Sequence, residues 1–364
     1  MRTRNNRTLL FGALILLFTL VLSACGSGNN VNNETGGSQA ADNTNAGNAS
    51  ASGNAANETE AGNAANTSAS GNTSNTPAAG NAETTVFKDA LGREVTIPVH
   101  PQRVITTQYL PEMIAVGFKP VGAASHLLTG FTSIKDQIAG IEDIGAANEP
   151  NVEKMLALKP DLIIAAEWNK DQLDSLSKIA PTIVIQWDGK DAFQHMTDVA
   201  GVLGLSDKAD EFKRNFDKKT EDARAKLAEY VKPGETFGVV VIGGYEQKQL
   251  RVYGSGNVGY TLFDALKFPM TDAVKTEWAK GDNGQGLSIS LEKLPEFASA
   301  DRLFLVQFDN DPDFIKEVDA SSLWKNLPAV KNGKVYTLDD GLWFSYDVMS
   351  ISAQLDDAVK LLAK

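Results

Sequence analysis

Three groups of side chains in this sequence have types and spacings suited to chemistry. The first is a pair of carboxylates. Glu153 opens the amphipathic run "NVEKMLALKPDLIIA" from Asn151, and Glu292 opens "SLEKLPEFASADRLFLV" from Ser290. In both runs an aspartate, Asp161 or Asp301, introduces an apolar strand, one residue closer to its glutamate in the first copy than in the second. Two exposed acids on pseudo-equivalent elements give two separated docking points, and such charges align a partner more than they add affinity. Each acid also complements its own helix start, because Asn151 and Ser290 read as N-caps. The second group is aromatic: Tyr109, Trp168, Trp187, Tyr253, Trp278, Trp343 and Phe344, all in or beside loops that follow strand-like runs, with Gln108, His126, Tyr245 and Tyr346 nearby. The third is Arg251 in "QLRVYGSG". Aromatic walls with a guanidinium able to donate two parallel bonds suit a bulky, partly apolar ligand carrying carbonyl or carboxylate oxygens.

Catalytic patterns are missing. The sequence has no G-x-S-x-G elbow, no P-loop and no H-E-x-x-H run. "YGSGNVG" at 253–259 fits neither a phosphate cradle nor a nucleophile elbow and reads as a loop at a pocket lip. The three histidines, His100, His126 and His195, are too scattered for a metal set built on protein ligands. No catalytic and no metal-ligating residue is assigned, and no cofactor is expected.

The elements that must position these groups alternate. Strand-like runs lie at 104–106, 121–124, 162–166 and 182–186, with helical runs near 111–116, 152–158, 171–179 and 192–203. Before them, "VFKDALGREVTI" reads as a hairpin closed by Pro98 and Pro101. Residues 206–231 carry Ala209, Phe212, Phe216, Ala223, Leu227 and Tyr230 on one face of a long, otherwise charged helix, with Ser206 as its N-cap and Pro233-Gly234 as its stop. Then the pattern restarts, with strands at 237–242, 250–253, 303–306 and 335–338 and helices near 260–265, 291–297 and 346–362. The fold class expected is α/β: two Rossmann-like α/β lobes joined by a single long α-helix, with a ligand groove between the lobes.

The start of the chain sets its compartment. Arg2, Arg4 and Arg7 precede the apolar run 9–22, which is shorter than the ~20 residues of a spanning helix. Leu22-Ser23-Ala24-Cys25 resembles a bacterial lipobox, with cleavage before Cys25, the only cysteine in the chain, and lipid on that residue. Residues 26–84 are almost wholly Asn, Ala, Gly, Ser and Thr and cannot bury enough apolar surface to fold. The organisation expected is therefore a signal peptide at 1–24, a disordered tether at 25–84, an N-terminal lobe at 85–205, a connecting helix at 206–232 and a C-terminal lobe at 233–364. The formal net charge is −12, and loss of the three leader arginines makes it more negative, which disfavours nucleic acid, so no nucleic-acid partner is expected.

Five stretches in order, "DALGREVTIPVHPQRVI", "AVGFKPVGA", "NVEKMLALKPDLIIA", "LSISLEKLPEFASADRLFLV" and "NLPAVKNGKVYTLD", resemble the helix-braced substrate-binding proteins of iron-siderophore and vitamin B12 ABC importers from Val86 to the C-terminus. The resemblance implies a lipoprotein held by Cys25 on the extracytoplasmic face of the cell membrane. It implies a ferric siderophore as ligand and an ABC permease dimer with its ATPase subunits as partner. It also implies that Glu153 and Glu292 meet arginines of that dimer, and that closure about the helix is small. Few cations cluster near the candidate loops (Lys248, Arg251, Lys280), which leans the chelate toward a hydroxamate or mixed citrate-hydroxamate type. Haem, with His126, Tyr253 or Met349 as axial ligand, and cobalamin remain alternatives within the same fold, and a hydrolytic enzyme is the alternative outside it.

Overall fold

The computed structural model describes residues 83–364 apart from Tyr245, Gln247, Asp282 and Asn283. The leader, Cys25, all but the last two residues of the tether, and the candidate Tyr245 lie outside the described residues. The opening hairpin pairs β1 (Thr84–Lys88) with β2 (Glu94–Pro98) in antiparallel register. Its turn is set by Asp89, whose buried carboxylate accepts from the backbone N–H groups of Leu91 and Arg93 at 3.0 and 2.9 Å and pairs with the Arg93 guanidinium. Arg93 also donates to the Thr182 carbonyl at 3.0 Å, which pins the hairpin to the edge of the first sheet.

That sheet is parallel throughout. Its strands are β3 (Val104–Thr106), β4 (Gly122–Ala123), β5 (Glu142–Asp143), β8 (Leu162–Ala166) and β9 (Thr182–Ile185), in the order β5-β4-β3-β8-β9. A small antiparallel pair, β6 (Gly145–Ala146) and β7 (Glu149–Pro150), leads into the helix Val152–Ala157. Strands β3, β8 and β9 are buried along their whole length, as continuous apolar runs in a sheet covered on both faces must be. The second sheet comprises β10 (Phe237–Ile242), β11 (Leu250–Tyr253), β12 (Leu287–Ser288), β13 (Arg302–Gln307) and β14 (Val335–Leu338), ordered β12-β11-β10-β13-β14. Here β10, β13 and β14 run parallel, while β11 is antiparallel to both β10 and β12. The segment between β10 and β11 is too short for a crossover helix, so that pair closes as a hairpin.

The two copies of the glutamate–aspartate run occupy matching places. The Asp161 carboxylate accepts from the Gln102 and Arg103 N–H groups at 2.7 and 2.9 Å, tying the start of β8 to the start of β3. The Asp301 carboxylate accepts from the Thr236 N–H and hydroxyl at 2.8 and 2.9 Å, tying β13 to β10 in the same way. In each lobe, then, the aspartate fixes the alignment of two central parallel strands.

The long helix forms over Ser206–Leu227, burying Ala209, Phe216, Thr220, Ala223 and Leu227. Ser206 is its first residue, not its N-cap. The preceding helix, Ala192–Leu203, is capped by Gly204 in the left-handed conformation (φ 70°), so only Gly204 and Leu205 lie between the two helices. The C-terminal helix, Val348–Leu362, runs beside the long helix and packs back on the first lobe's helix Leu110–Ala115. Lys219 of the long helix donates to the Ser352 carbonyl and pairs with Asp356, both at 2.7 Å. The two helices are thus stapled together. A single apolar core runs from Val104 and Leu162 through Phe216 and Leu227 to Val239, Phe304, Ile351 and Leu355, so both lobes and both helices share it.

Candidate ligand groove and the paired glutamates

In α/β sheets the crevice beyond the carboxyl ends of the strands is where ligands gather. Such a groove lies here, about 670 Å³ in volume. Gln108 reaches it from the end of β3, Trp168 from the end of β8 and Trp187 from the end of β9. Opposite them stand Phe308 after β13, Phe344 to Tyr346 after β14, and Asn257 with Gln285 from the loops flanking β11 and β12. A second depression of about 650 Å³ lies between residues 100–102, 115–118 and the start of the long helix. No loop at the carboxyl end of a strand of either five-stranded sheet contributes to it, so the first groove is the candidate site.

The first lobe's wall is an aromatic ladder. Trp168, 46% exposed, meets Trp187 edge-on with centroids 5.8 Å apart, and Trp187 stacks on His195 at 4.4 Å. Trp187 is held from behind: its backbone N–H donates to the Glu167 carboxylate at 2.8 Å, and its backbone carbonyl lies 3.0 Å from His195 Nε2. Burial pushes the His195 pKa down, keeping the imidazole neutral beneath the indole. The opposite wall is Phe344 standing edge-on to Phe308 at 4.9 Å. Behind Phe344 sits the Arg251 guanidinium, 5.3 Å from its ring and 5.8 Å from that of Tyr253. Arg251 and Tyr253 both donate to the Gln285 carbonyl, at 3.3 and 3.0 Å, which positions the lip that Gln285 presents to the groove.

Of the expected groove residues, Trp168, Trp187 and Phe344 are brought together on its surface, with Gln108 and Tyr346 beside them. Five others do not line it. Tyr109 is fully buried under Trp187 and His195 and donates to the Ile185 carbonyl at 2.9 Å, so its hydroxyl is spent holding β9; burial keeps that phenol protonated. Trp343 is fully buried against Phe304, its indole N–H on Asp357 at 2.9 Å. Trp278 packs over Gly254, where a Cβ would stand 2.5 Å from the ring, and donates to the Ser255 carbonyl at 2.7 Å. Arg251 and Tyr253 are buried behind the wall, because odd and even positions of β11 both face protein. The three axial candidates for haem, His126, Tyr253 and Met349, do not line the groove. Among the described residues no group of three or more His, Cys, Asp or Glu side chains is placed to hold a metal ion.

Residue-type reasoning missed the floor. Glu112, on the helix Leu110–Ala115, and Asp347, which caps the C-terminal helix by accepting from the Met349 and Ser350 N–H groups at 3.0 and 2.8 Å, both line the groove while only 2% and 3% exposed. Burial, reinforced by Asp347, pushes the Glu112 carboxyl up to about 8, and burial raises Asp347 as well. No sequence motif marks either residue. Phe308 was legible by the same rule that gave Trp168, being the first residue after a strand.

At the tips, Glu153 is exposed in the first turn of its helix, where the Asn151 side chain caps the Lys154 N–H at 3.0 Å. Val152 and Leu156 are exposed beside it. Glu292 is exposed in the matching 3-10 turn. Ser290 makes no backbone cap there; it hydrogen-bonds the Glu292 carboxylate instead and lowers its pKa.

With the geometry in place, comparison with known proteins defines the class. A periplasmic binding protein family model matches residues 110–342, and the chain belongs to that family. Among curated proteins it is 30% identical to the iron(3+)-hydroxamate-binding protein YxeB of Bacillus subtilis (strain 168) over 78% of this chain and 86% of that one. It is 33% identical to the iron(3+)-hydroxamate-binding protein FhuD of the same organism, over 78% and 87%. Among solved structures, a FhuD fold-family periplasmic binding protein component of a Fep/Fec-like ferrichrome ABC transporter from Bacillus subtilis superposes with a TM-score of 0.66 at 32% identity, covering 76% of this chain and all of that one. Staphylococcus aureus SirA complexed with staphyloferrin B gives 0.64 at 29% identity, covering 77% and 98%. The family consists of two-lobed binding proteins rather than enzymes, and related chains are described as lipoproteins. No helix among the described residues is long and apolar enough to cross a membrane.

Proposed function

We propose that this protein is the substrate-binding lipoprotein of an ABC importer, that it captures a ferric siderophore of hydroxamate or mixed citrate-hydroxamate type between its lobes, and that it delivers the chelate to a dimeric permease served by ATPase subunits. The observation that carries the reading is the groove itself. It is braced by two helices, open between two lobes, and walled by Trp168 and Trp187 on one side and Phe344 and Phe308 on the other. Flat apolar walls with a few polar groups suit a chelate whose oxygens wrap the metal and whose exterior is mostly methylene. The relatives named above support the ligand class. Cys25 is the proposed lipid attachment point on the extracytoplasmic face, and Glu153 and Glu292 the proposed docking points.

Tryptophan fluorescence tests the ligand. Titration with ferric hydroxamates should quench emission strongly, and Trp168→Phe with Trp187→Phe should remove most of the quenching, since both indoles face the groove. Absence of quenching by every ferric hydroxamate and citrate-hydroxamate, or full quenching in the double variant, would count against the groove. Replacing Cys25 with Ser should release the protein from the membrane fraction; retention would count against the anchor.

A further inference from the structure

The charges lining the groove are unequal. Glu112, Asp188, Asp340 and Asp347 contribute carboxyl groups, while Lys190 is the only Lys or Arg among the described lining residues, and its ammonium is engaged by Asp198. His195 is buried and held neutral. A second observation concerns Asp347 alone. Both of its cap bonds go to one oxygen, Oδ1; the other, Oδ2, is buried at the groove floor with no hydrogen-bond partner among the described residues. A buried carboxylate oxygen left without a donor costs free energy, and in native proteins such an atom calls for an explanation. Glu112 lines the same groove from the other lobe. Two buried carboxyl groups thus line the place where a ligand would rest, one with an acceptor unused.

Resting on the siderophore reading above, we propose that the groove floor formed by Asp347 and Glu112 receives a cationic arm of the chelate, a primary ammonium, so that the protein selects ferric hydroxamates carrying such an arm over neutral and anionic ones. An ammonium offers three donors and no acceptor, which matches Asp347 Oδ2 and the facing Glu112 carboxyl. Charge-assisted bonds of this kind are short and strong, and they gain weight where water is excluded. An arm ending in a carboxylate would bring an acceptor, with no donor, against the unpartnered Asp347 oxygen, and a polyanionic chelate would also face Asp188 and Asp340.

The test uses three ferric linear trihydroxamates with one iron-binding shell and different ends: the free amine, its N-acetyl derivative and its N-succinyl derivative. The full-length protein should bind the amine roughly tenfold more tightly than the acetylated form, about the free energy of one pKa unit, and the succinylated form more weakly still. In Asp347→Asn, which keeps an oxygen for the helix cap, and in Glu112→Gln, the ratio of amine to acetyl affinity should fall toward one. Equal affinities for the amine and the acetylated chelate, or a ratio that survives in both variants, would overturn the proposal. Failure of all three chelates to bind would overturn the proposal, and if every other ferric hydroxamate and citrate-hydroxamate also failed to quench, the siderophore reading on which it rests would fall with it, so the two failures are told apart.

Discussion

The two lobes are alike at their tips and unlike at their groove faces. At the tips, each lobe presents an exposed glutamate at the start of a short helical turn, followed by an aspartate that ties two parallel strands together. At the groove, the first lobe offers two edge-on indoles, one of them stacked on a neutral histidine, whereas the second offers two phenyl rings backed by a buried guanidinium. The sheets diverge in the same direction: one is parallel throughout, and the other has a hairpin that carries Arg251 and Tyr253 to the back of the wall. Likeness is kept where the proposed partner is two-fold and would see both lobes in the same way. Difference appears where a ligand without symmetry would touch each lobe with different atoms.

The largest effect that could break this comparison is on delivery. Replacing Glu153 and Glu292 together with Ala should abolish iron-chelate uptake in cells while leaving chelate affinity of the purified protein unchanged, because both carboxylates are exposed at the tips and neither lines the groove. The single variants should each reduce uptake. If one alone is silent, the two glutamates are not functional equivalents, and the serine bond that holds Glu292 becomes the feature to examine. Normal uptake by the double variant would end the docking assignment.

The next effect lies at the seam between the lobes. The Glu112 carboxyl is pushed up to about 8, by burial first and then by Asp347. Its unfolded value is about 4.3, so the folded state holds this proton more tightly. The stability linked to that proton is fully present below the unfolded value and is lost as pH rises through about 8. Glu112→Gln cannot ionise. Compared with the parent protein it should lose less stability between acid and alkaline pH, and the two curves should converge or cross near the alkaline end. Denaturant midpoints at several pH values read this directly. Parallel curves would show that Glu112 ionises freely and that the seam is wetter than its burial implies.

Much of the fold was legible in the sequence because it rests on local periodicity. Val104–Thr106, Leu162–Ala166 and Phe237–Ile242 are apolar runs that could only be buried strands, and the long helix showed its apolar face at helical spacing. The groove was legible only in part. A loop after a strand points toward the site, which found Trp168, Trp187 and Phe344, but an aromatic in such a loop turns outward or inward according to packing that no local pattern encodes. Tyr109 and Trp343 went inward because each had a fixed acceptor to satisfy, the Ile185 carbonyl and the Asp357 carboxylate. Glu112 and Asp347 were invisible for a different reason. They lie far apart in the chain and meet only because the C-terminal helix returns to the first lobe, a tertiary event with no local sequence signal.

The smallest effect sharpens the comparison most. Asp161 and Asp301 do the same job with different donors. Asp161 holds two backbone N–H groups, whose directions the chain fixes; Asp301 holds one N–H and the Thr236 hydroxyl, which can rotate, and it is the more exposed of the two. Hydrogen bonds to a charged acceptor contribute modestly, and a donor left unsatisfied on its removal costs more than the bond was worth. Asp161→Ala should therefore cost about 1–2 kcal/mol in urea unfolding, and Asp301→Ala about half of that. Equal losses would mean that the hydroxyl is held as firmly as a backbone amide and that the two lobes are anchored alike. A larger loss at Asp301 would mean that the second sheet, with its antiparallel edge, depends more on the alignment of its two central parallel strands than the all-parallel sheet does.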